Sequence, residues 1–146
     1  MKHTIKLKKY LDIIEEYIAA DTIKPGYLLA LDADGKVEPH GVAGGIALAM
    51  FALEDELRGL SIDDSIAAAN PVQCWVAQRG EQVYARLDDG EDATCGDFMV
   101  SAGDGTLKVY DEASDEAGWI VAQALEDVDL TGSALPAGDF IKVVII

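Results

Sequence analysis

The clearest alternation of apolar and polar residues lies in the stretch 95–126, where short apolar runs are separated by glycine-containing turns. Apolar residues alternate on both sides of Asp104-Gly105, a pair that accepts the positive φ angles of a tight hairpin turn. Gly118 then precedes a continuous apolar run over 119–122. The pattern predicts a strand, a tight turn, a second strand, a loop and a third strand.

A weaker copy of this pattern occupies residues 25–50. The corresponding positions are Gly26 and Gly96, Asp34-Gly35 and Asp104-Gly105, Val37 and Leu107, and Gly45-Ile46-Ala47 and Gly118-Trp119-Ile120. A few residues are inserted in the later copy. The shared spacing predicts two hairpins on one plan, and therefore a body over 25–146 with two related halves.

The N-terminal residues 4–13 alternate in the manner of a strand, although Lys9 breaks the pattern. The apolar side holds Ile5, Leu7, Leu11 and Ile13. A helix over 11–20 competes, because LDIIEEYIAA has fair helical propensity. We interpret residues 1–24 as an extended arm that packs outside the core of the body.

Residues 53–70 form the only convincing helical region, with leucines at helical spacing (Leu53, Leu57 and Leu60). Ser61 and Asp64 resemble a capping box with Asp in place of Glu, and Asn70-Pro71 would stop a helix. We expect a short helical insertion of one or two turns.

A further hairpin is predicted around Arg79-Gly80, with Val76 opposite Val83. One of its faces is apolar and small. The other face carries Trp75, Tyr84 and Arg86, and is either a possible subunit interface or covered by a second layer of the same domain.

The chain ends in a run that obeys every local rule for a strand, 140–146. Strands at intervals of roughly ten residues, glycine-rich turns and a single small helical insertion are typical of an all-β barrel or sandwich. We therefore expect the last strand to lie inside a sheet.

Charge adds a second feature to this picture. The chain of 146 residues has a net charge of −16, yet its first nine residues hold four lysines and no acidic side chain. An acidic body repels nucleic acid and anionic lipid, so neither is an expected partner. The basic leader is either a solvated tail or an arm that reaches an acidic partner.

Length and composition set further limits. The chain is long enough for one domain with its own core. No stretch approaches the roughly 20 apolar residues of a membrane span, and no apolar segment of a secretory signal follows the basic start. Two cysteines, Cys74 and Cys95, are too few for a disulfide framework or a zinc site, and both are expected to be small buried residues.

No motif points to catalysis, a metal or a cofactor. The two histidines, His3 and His40, lack a Gly-x-Ser-x-Gly context, and no phosphate-binding loop occurs. Asp32-Ala33-Asp34-Gly35 begins like a calcium loop, but the twelfth position is Ala43 instead of Glu. We expect a hairpin turn there, a solvated acidic loop over 88–94, and no enzymatic activity.

The order of these segments resembles the head decoration, or capsid cement, proteins of tailed phages, over nearly the whole chain. After the N-terminal arm, the segments that carry the resemblance are 25–31 (PGYLLAL), 35–40 (GKVEPH), 45–49 (GIALA), 53–64 (LEDELRGLSIDD), 76–87 (VAQRGEQVYARL), 96–97 (GD), 101–107 (SAGDGTL) and 118–125 (GWIVAQAL).

The resemblance implies a small, β-tulip-like body on the outer surface of a capsid, commonly as a homotrimer, made in the host cytoplasm and found in the virion. It also implies an arm that reaches over the major capsid protein and locks neighbouring subunits. The residues expected to bind the capsid are Ile5, Lys6, Leu7, Lys8, Lys9, Leu11 and Ile13.

Two other classes of function stay open. One is a glycan-binding β-module of a phage tail or baseplate, which requires a cluster of exposed aromatic side chains in a pocket. The other is a β-barrel enzyme, which requires a concave site with a pair of perturbed ionisable groups.

Overall fold

The computed structural model describes residues 4–9, 12–132 and 138–146. Within these residues the chain is all-β, with thirteen short strands and two single-turn 3₁₀ helices, at Glu56–Arg58 and Ala117–Trp119. No helix in this part is long and apolar enough to span a membrane. The strands are β1 Lys6–Lys8, β2 Ile14–Ile18, β3 Leu29–Leu31, β4 Val37–Pro39, β5 Met50–Ala52, β6 Pro71–Val76, β7 Gln82–Leu87, β8 Asp92–Ala93, β9 Phe98–Ser101, β10 Leu107–Val109, β11 Ala122–Ala124, β12 Val128–Asp129 and β13 Asp139–Ile145.

Five of these strands close into a barrel in the order β7-β10-β9-β11-β13, and β13 returns to pair with β7. The contact between β10 and β7 is parallel, and the other four are antiparallel. Alternate residues of β7 and β13, such as Val83, Ala85, Ile141 and Val143, are fully buried. The last strand therefore lies inside a sheet, as its sequence predicted.

A three-stranded sheet, β2-β6-β5, packs between the barrel and a second, smaller core. Phe51 and Trp75 are opposite each other on the face that contacts the barrel core. Met50 and Cys74 point to the other face, where they meet the β3–β4 hairpin. Strict alternation along β5 and β6 thus buries both faces of the sheet.

Both hairpins of the repeated pattern are confirmed. β3 pairs with β4 and β9 with β10, and five residues separate the paired strand ends in each case. Gly35 and Gly105 adopt φ angles of 75° and 90°, which residues with a Cβ rarely adopt. In each turn an aspartate closes the loop: Asp32 accepts from the backbone N–H of Lys36, and Asp104 accepts from that of Thr106.

The expected hairpin around Arg79-Gly80 is wrong. β6 pairs with β2 and β5, whereas β7 pairs with β1, β10 and β13, so the two strands belong to different sheets. The backbone N–H of Gly80 donates to the carbonyl of Ile145, which ties this turn to the end of β13. Each strand finds partners from distant parts of the chain, which a local alternation cannot reveal.

The N-terminal segment belongs to the body and is not the separate arm expected for 1–24. β1 pairs with β7, and β2 pairs with β6 over five residues. Ile5 is fully buried in the barrel core, and its backbone N–H donates to the carboxylate of Glu54. Within the described part of 4–13 the predicted strand is confirmed only for Lys6–Lys8, and its partner β7 lies in the same chain.

The insertion over 53–70 contains a single helical turn, Glu56–Arg58, in agreement with the short insertion expected. Ser61 and Asp64 make capping-box hydrogen bonds, but no helix follows, because Ile66 forms a β-bridge with Ile23. The run 119–122 is not one strand: Trp119 ends a 3₁₀ turn, and β11 begins only at Ala122. Cys74 is buried as expected, whereas Cys95 is exposed, and both are free thiols.

The register of β13 predicts different costs for two neighbouring valines. Val143 is fully buried, so Val143→Ala should lower the free energy of unfolding by about 2 kcal/mol through lost burial and a residual cavity. Val144→Ala is the matched control, because Val144 is half-buried on the opposite face. This variant should lower the free energy of unfolding by less than about 1 kcal/mol. Urea denaturation of the two variants measures the difference, and equal losses would contradict the register.

Candidate binding surfaces

One histidine–serine pair has the contacts of a catalytic dyad. The Nδ1 atom of His40 lies 2.7 Å from the hydroxyl of Ser101, and its Nε2 atom lies 2.8 Å from the carbonyl of Ile46. The pair lacks the access that a nucleophile needs, because Ser101 is only 1% exposed. These hydrogen bonds instead connect the end of β4 with β9 and with the loop at Ile46.

In the described residues, no group of three or more His, Cys, Asp or Glu side chains could hold a metal ion. Several carboxylates are used within their own loops. Asp32 accepts from two backbone N–H groups of its turn. Glu91 accepts from the backbone N–H of Val109, so one acidic side chain of the 88–94 loop stabilises the end of β10.

The possible subunit interface at Trp75, Tyr84 and Arg86 is not a surface of this fold. Trp75 is fully buried between the sheet and the barrel, and its Nε1–H has no hydrogen-bond partner among the described residues. Arg86 is buried as well, and Tyr84 is half-buried with its ring at an edge-on angle to Phe140. Trp75 and the pair Tyr84 and Arg86 do not share a face, because β6 and β7 belong to different sheets and Trp75 packs with Val83 and Ala85 on the core side of β7.

Arg86 connects three parts of the chain. Its guanidinium donates to the carbonyls of Pro25 and Ile62, at 2.8 and 3.0 Å, and lies 4.1 Å above the ring centre of Phe140. Burial lowers the pKa of Arg86 from its ordinary value. Arg86 thus connects the barrel strand β7 with the start of the body and with the insertion.

The N-terminal segment contributes a basic groove, formed by Leu7, Lys8, Lys9, Gly80 and Gln82. Lys8 and Lys9 are exposed, and Leu7 is half-buried. Lys6 and Lys9 both contact the carboxylate of Asp12, and chiefly the Lys9 contact holds the pKa of Asp12 below its usual value.

The residues expected to bind a capsid therefore separate into groups. Ile5 is in the core and unavailable to a partner in this fold. Lys6 and Leu7 are half-buried, and Ile13 is 40% exposed just before β2. Leu11 lies outside the described residues. Of the described residues expected to bind a capsid, Lys8, Lys9 and Ile13 are exposed.

A second surface is an apolar patch formed by Leu31, Ile46, Leu48, Trp119 and Ile146. Ile46 and Leu48 are 75% and 59% exposed. Both line a groove of about 280 Å³ together with Trp119 and Ile146, and both also line an adjoining groove with Leu31. The five side chains therefore form one continuous surface.

The patch combines corresponding positions of the two repeat copies. Ile46 follows Gly45 in the first copy, and Trp119 follows Gly118 in the second. The apolar segments after Gly45 and Gly118 were both expected to form strands, but the strands begin later, at Met50 and Ala122. A sequence of small and aliphatic residues such as GGIALAM does not distinguish a buried strand from an exposed one, so sequence reasoning missed this surface.

The chain is similar in structure, but not in sequence family, to known proteins. No family model matches it, and no curated protein matches it. Solved structures do match, among them the head fiber gp8.5 N base of bacteriophage phi29. That structure has 16% sequence identity and a TM-score of 0.57, and the alignment covers 93% of this chain and 95% of that chain. The likeness shows that the two proteins share a fold.

The buried position of Arg86 generates a stability prediction. Arg86→Ala leaves two buried carbonyls without their donor, so we expect the free energy of unfolding to fall by about 3 kcal/mol. Arg79, which is exposed, provides the control, and Arg79→Ala should change stability by no more than about 0.5 kcal/mol. Thermal or urea denaturation measures both variants. An Arg86→Ala variant as stable as the control would contradict the stabilising role of Arg86.

Proposed function

We propose that this chain is a structural protein of a tailed-phage head, bound to the outer surface of the capsid. The observation that carries the proposal is the fold shared with a phage head fiber base over nearly the full length of both chains. The resemblance of the segments over 25–125 to head decoration proteins supports the same class. The virion is accordingly the proposed location, and the major capsid protein is the proposed partner.

The basic groove is the proposed contact with the capsid. Lys8 and Lys9 are exposed on a chain whose net charge is −16. Lys9 pairs with Asp12, and Lys8, which has no ion-pair partner among the described residues, gives the groove a local surface of opposite sign to the rest of the body. Such a surface suits an acidic partner, and its contacts weaken as salt screens them. Ile13, which is 40% exposed, adds an apolar side chain on the same N-terminal segment.

Anchoring stabilises the shell in this proposal, because one bound chain that spans two capsid subunits opposes their separation. Each exposed ion pair contributes only about 0–1 kcal/mol. Many copies acting on one shell would make the total substantial. Association of the copies as a homotrimer, as in the decoration proteins that the sequence resembles, would add to this effect.

The glycan-binding alternative has less support. It requires several exposed aromatic side chains around one groove, as sugar rings pack against aromatic faces. The groove beside the apolar patch contains one, Trp119, together with the polar side chains of Gln78 and Arg79. No second aromatic residue lines that groove among the described residues.

A charge reversal tests the capsid contact. Lys8→Glu should weaken binding to purified capsids that lack this protein, by roughly 5- to 30-fold at low salt, and should flatten the salt dependence of binding. Lys36→Glu changes the charge equally at an exposed position in the turn between β3 and β4, and should bind nearly as well as the wild type. Co-sedimentation with capsids measures both.

Deleting residues 1–18 would not serve as the test, because it removes Ile5 from the core and β2 from its sheet. The capsid contact is contradicted if Lys8→Glu and Lys36→Glu bind equally. The proposed function itself is contradicted if the wild-type chain binds no capsid and is absent from purified particles by mass spectrometry.

A further inference from the structure

The apolar patch differs from the scattered apolar residues that a soluble protein usually exposes. Single exposed aliphatic residues are common on proteins, but contiguous apolar surfaces mark sites of interaction. Here five large side chains adjoin one another, and the two most exposed, Ile46 and Leu48, lie at its centre. Leu57, by contrast, is 87% exposed in the turn Glu56–Arg58 and lines neither groove of the patch.

The charges around the patch are as informative as its side chains. The chain has 27 acidic residues, yet none of them lines either groove of the patch. Among the residues that the structure describes, Arg79 is the only Lys, Arg, Asp or Glu in the two linings. Two copies of a chain with a net charge of −16 repel each other over most of their surface, so an acid-free face is where they can meet at least cost.

The segment 46–49 at the centre of the patch is fixed in position, yet its backbone N–H groups are available to a partner. His40 fixes it through the carbonyl of Ile46, while Ala47 and Ala49 pack against the barrel core. None of the four backbone N–H groups of 46–49 donates a hydrogen bond to a described residue. The backbone is thus pre-positioned for a partner, which limits the ordering cost of binding.

We propose that the apolar patch is the surface through which one copy of this chain binds a second copy. A second copy is the favoured occupant, because the patch is apolar and no acidic side chain lines its two grooves, so two such faces meet without bringing carboxylates together, and Arg79 is the one charged side chain that the described linings of each copy bring to the contact. The inference deepens the proposed function, in which copies associate on the particle, and names the surface they use. It concerns the isolated protein as well, since the patch is complete within one chain.

Salt should affect this contact in the direction opposite to the capsid contact. Repulsion between two acidic chains opposes their association, and added salt screens it. We therefore expect the purified protein to associate more strongly at 0.5 M than at 0.05 M salt, concentrations that correspond to a several-fold change in screening length. Trp119 provides a signal, because this residue is 37% exposed in the patch while Trp75 is already fully buried.

The test compares two leucine variants of the full-length chain by analytical ultracentrifugation over a range of concentrations. Leu48→Lys should weaken self-association roughly 10- to 100-fold, because a lysine replaces a side chain that the contact buries. Leu57→Lys adds the same charge outside the patch and should associate like the wild type. Circular dichroism and thermal melting check that both variants are folded, and the tryptophan emission of the wild type should shift to the blue as the chain associates.

Three outcomes would overturn the proposal. One is a wild-type chain that stays monomeric at every concentration and salt tested. Another is equal association of Leu48→Lys and Leu57→Lys. The third is a monomeric wild type whose binding to capsids is lost in Leu48→Lys, which would assign the patch to the capsid protein. In that third case the proposed function would survive, whereas failure of the wild type to bind capsids leaves the self-association result unaffected.

Discussion

The pairing of β13 with β7 is the contact on which the rest of the structure depends. It joins the last strand of the chain to one near its middle through six residue pairs, and it closes the barrel. The backbones of Gly138 and Leu87 approach each other closely where this pairing begins, because a Cβ on Gly138 would lie 1.5 Å from the carbonyl oxygen of Leu87. Since β7 also pairs with β1 and β10, the N-terminal segment and the second hairpin take their positions from the same strand.

Buried polar side chains then fix the outer parts of the chain to this barrel. Arg86 on β7 reaches the start of the body and the insertion, and Glu54 receives the backbone N–H of Ile5. His40 connects the first hairpin with the segment that bears the apolar patch. Each of these contacts links residues far apart in sequence, so they stabilise arrangements that no local propensity would maintain. The apolar patch and the basic groove adjoin at the turn of Arg79 and Gly80. Arg79 lines the groove beside the patch, and Gly80 lines the basic groove.

Local chemistry was sufficient to predict part of this. The hairpins at Asp34-Gly35 and Asp104-Gly105 depend on turn residues and alternation, which are properties of short segments, and the stretch 140–146 consists of aromatic and β-branched residues except for Lys142. The partners of β6 and β7 could not be predicted, because alternation shows that a strand has two faces and not which strand lies beside it. For the same reason Trp75 and Ile5 could be read as surface residues, although both are fully buried. The exposure of Ile46 and Leu48 depends on where the neighbouring strands end, which only the three-dimensional structure reveals.

In the proposed function the chain stabilises a phage head, with the basic groove toward the shell and the apolar patch toward its own copies. A cryo-EM reconstruction of particles that carry this protein tests it most directly. We expect density for the barrel on the outside of the capsid, with Lys8 and Lys9 against capsid subunits and Ile46 and Leu48 against a neighbouring copy. Absence of the chain from the outer surface would contradict the account, as would a bound chain whose patch faces solvent and whose groove points away from the shell.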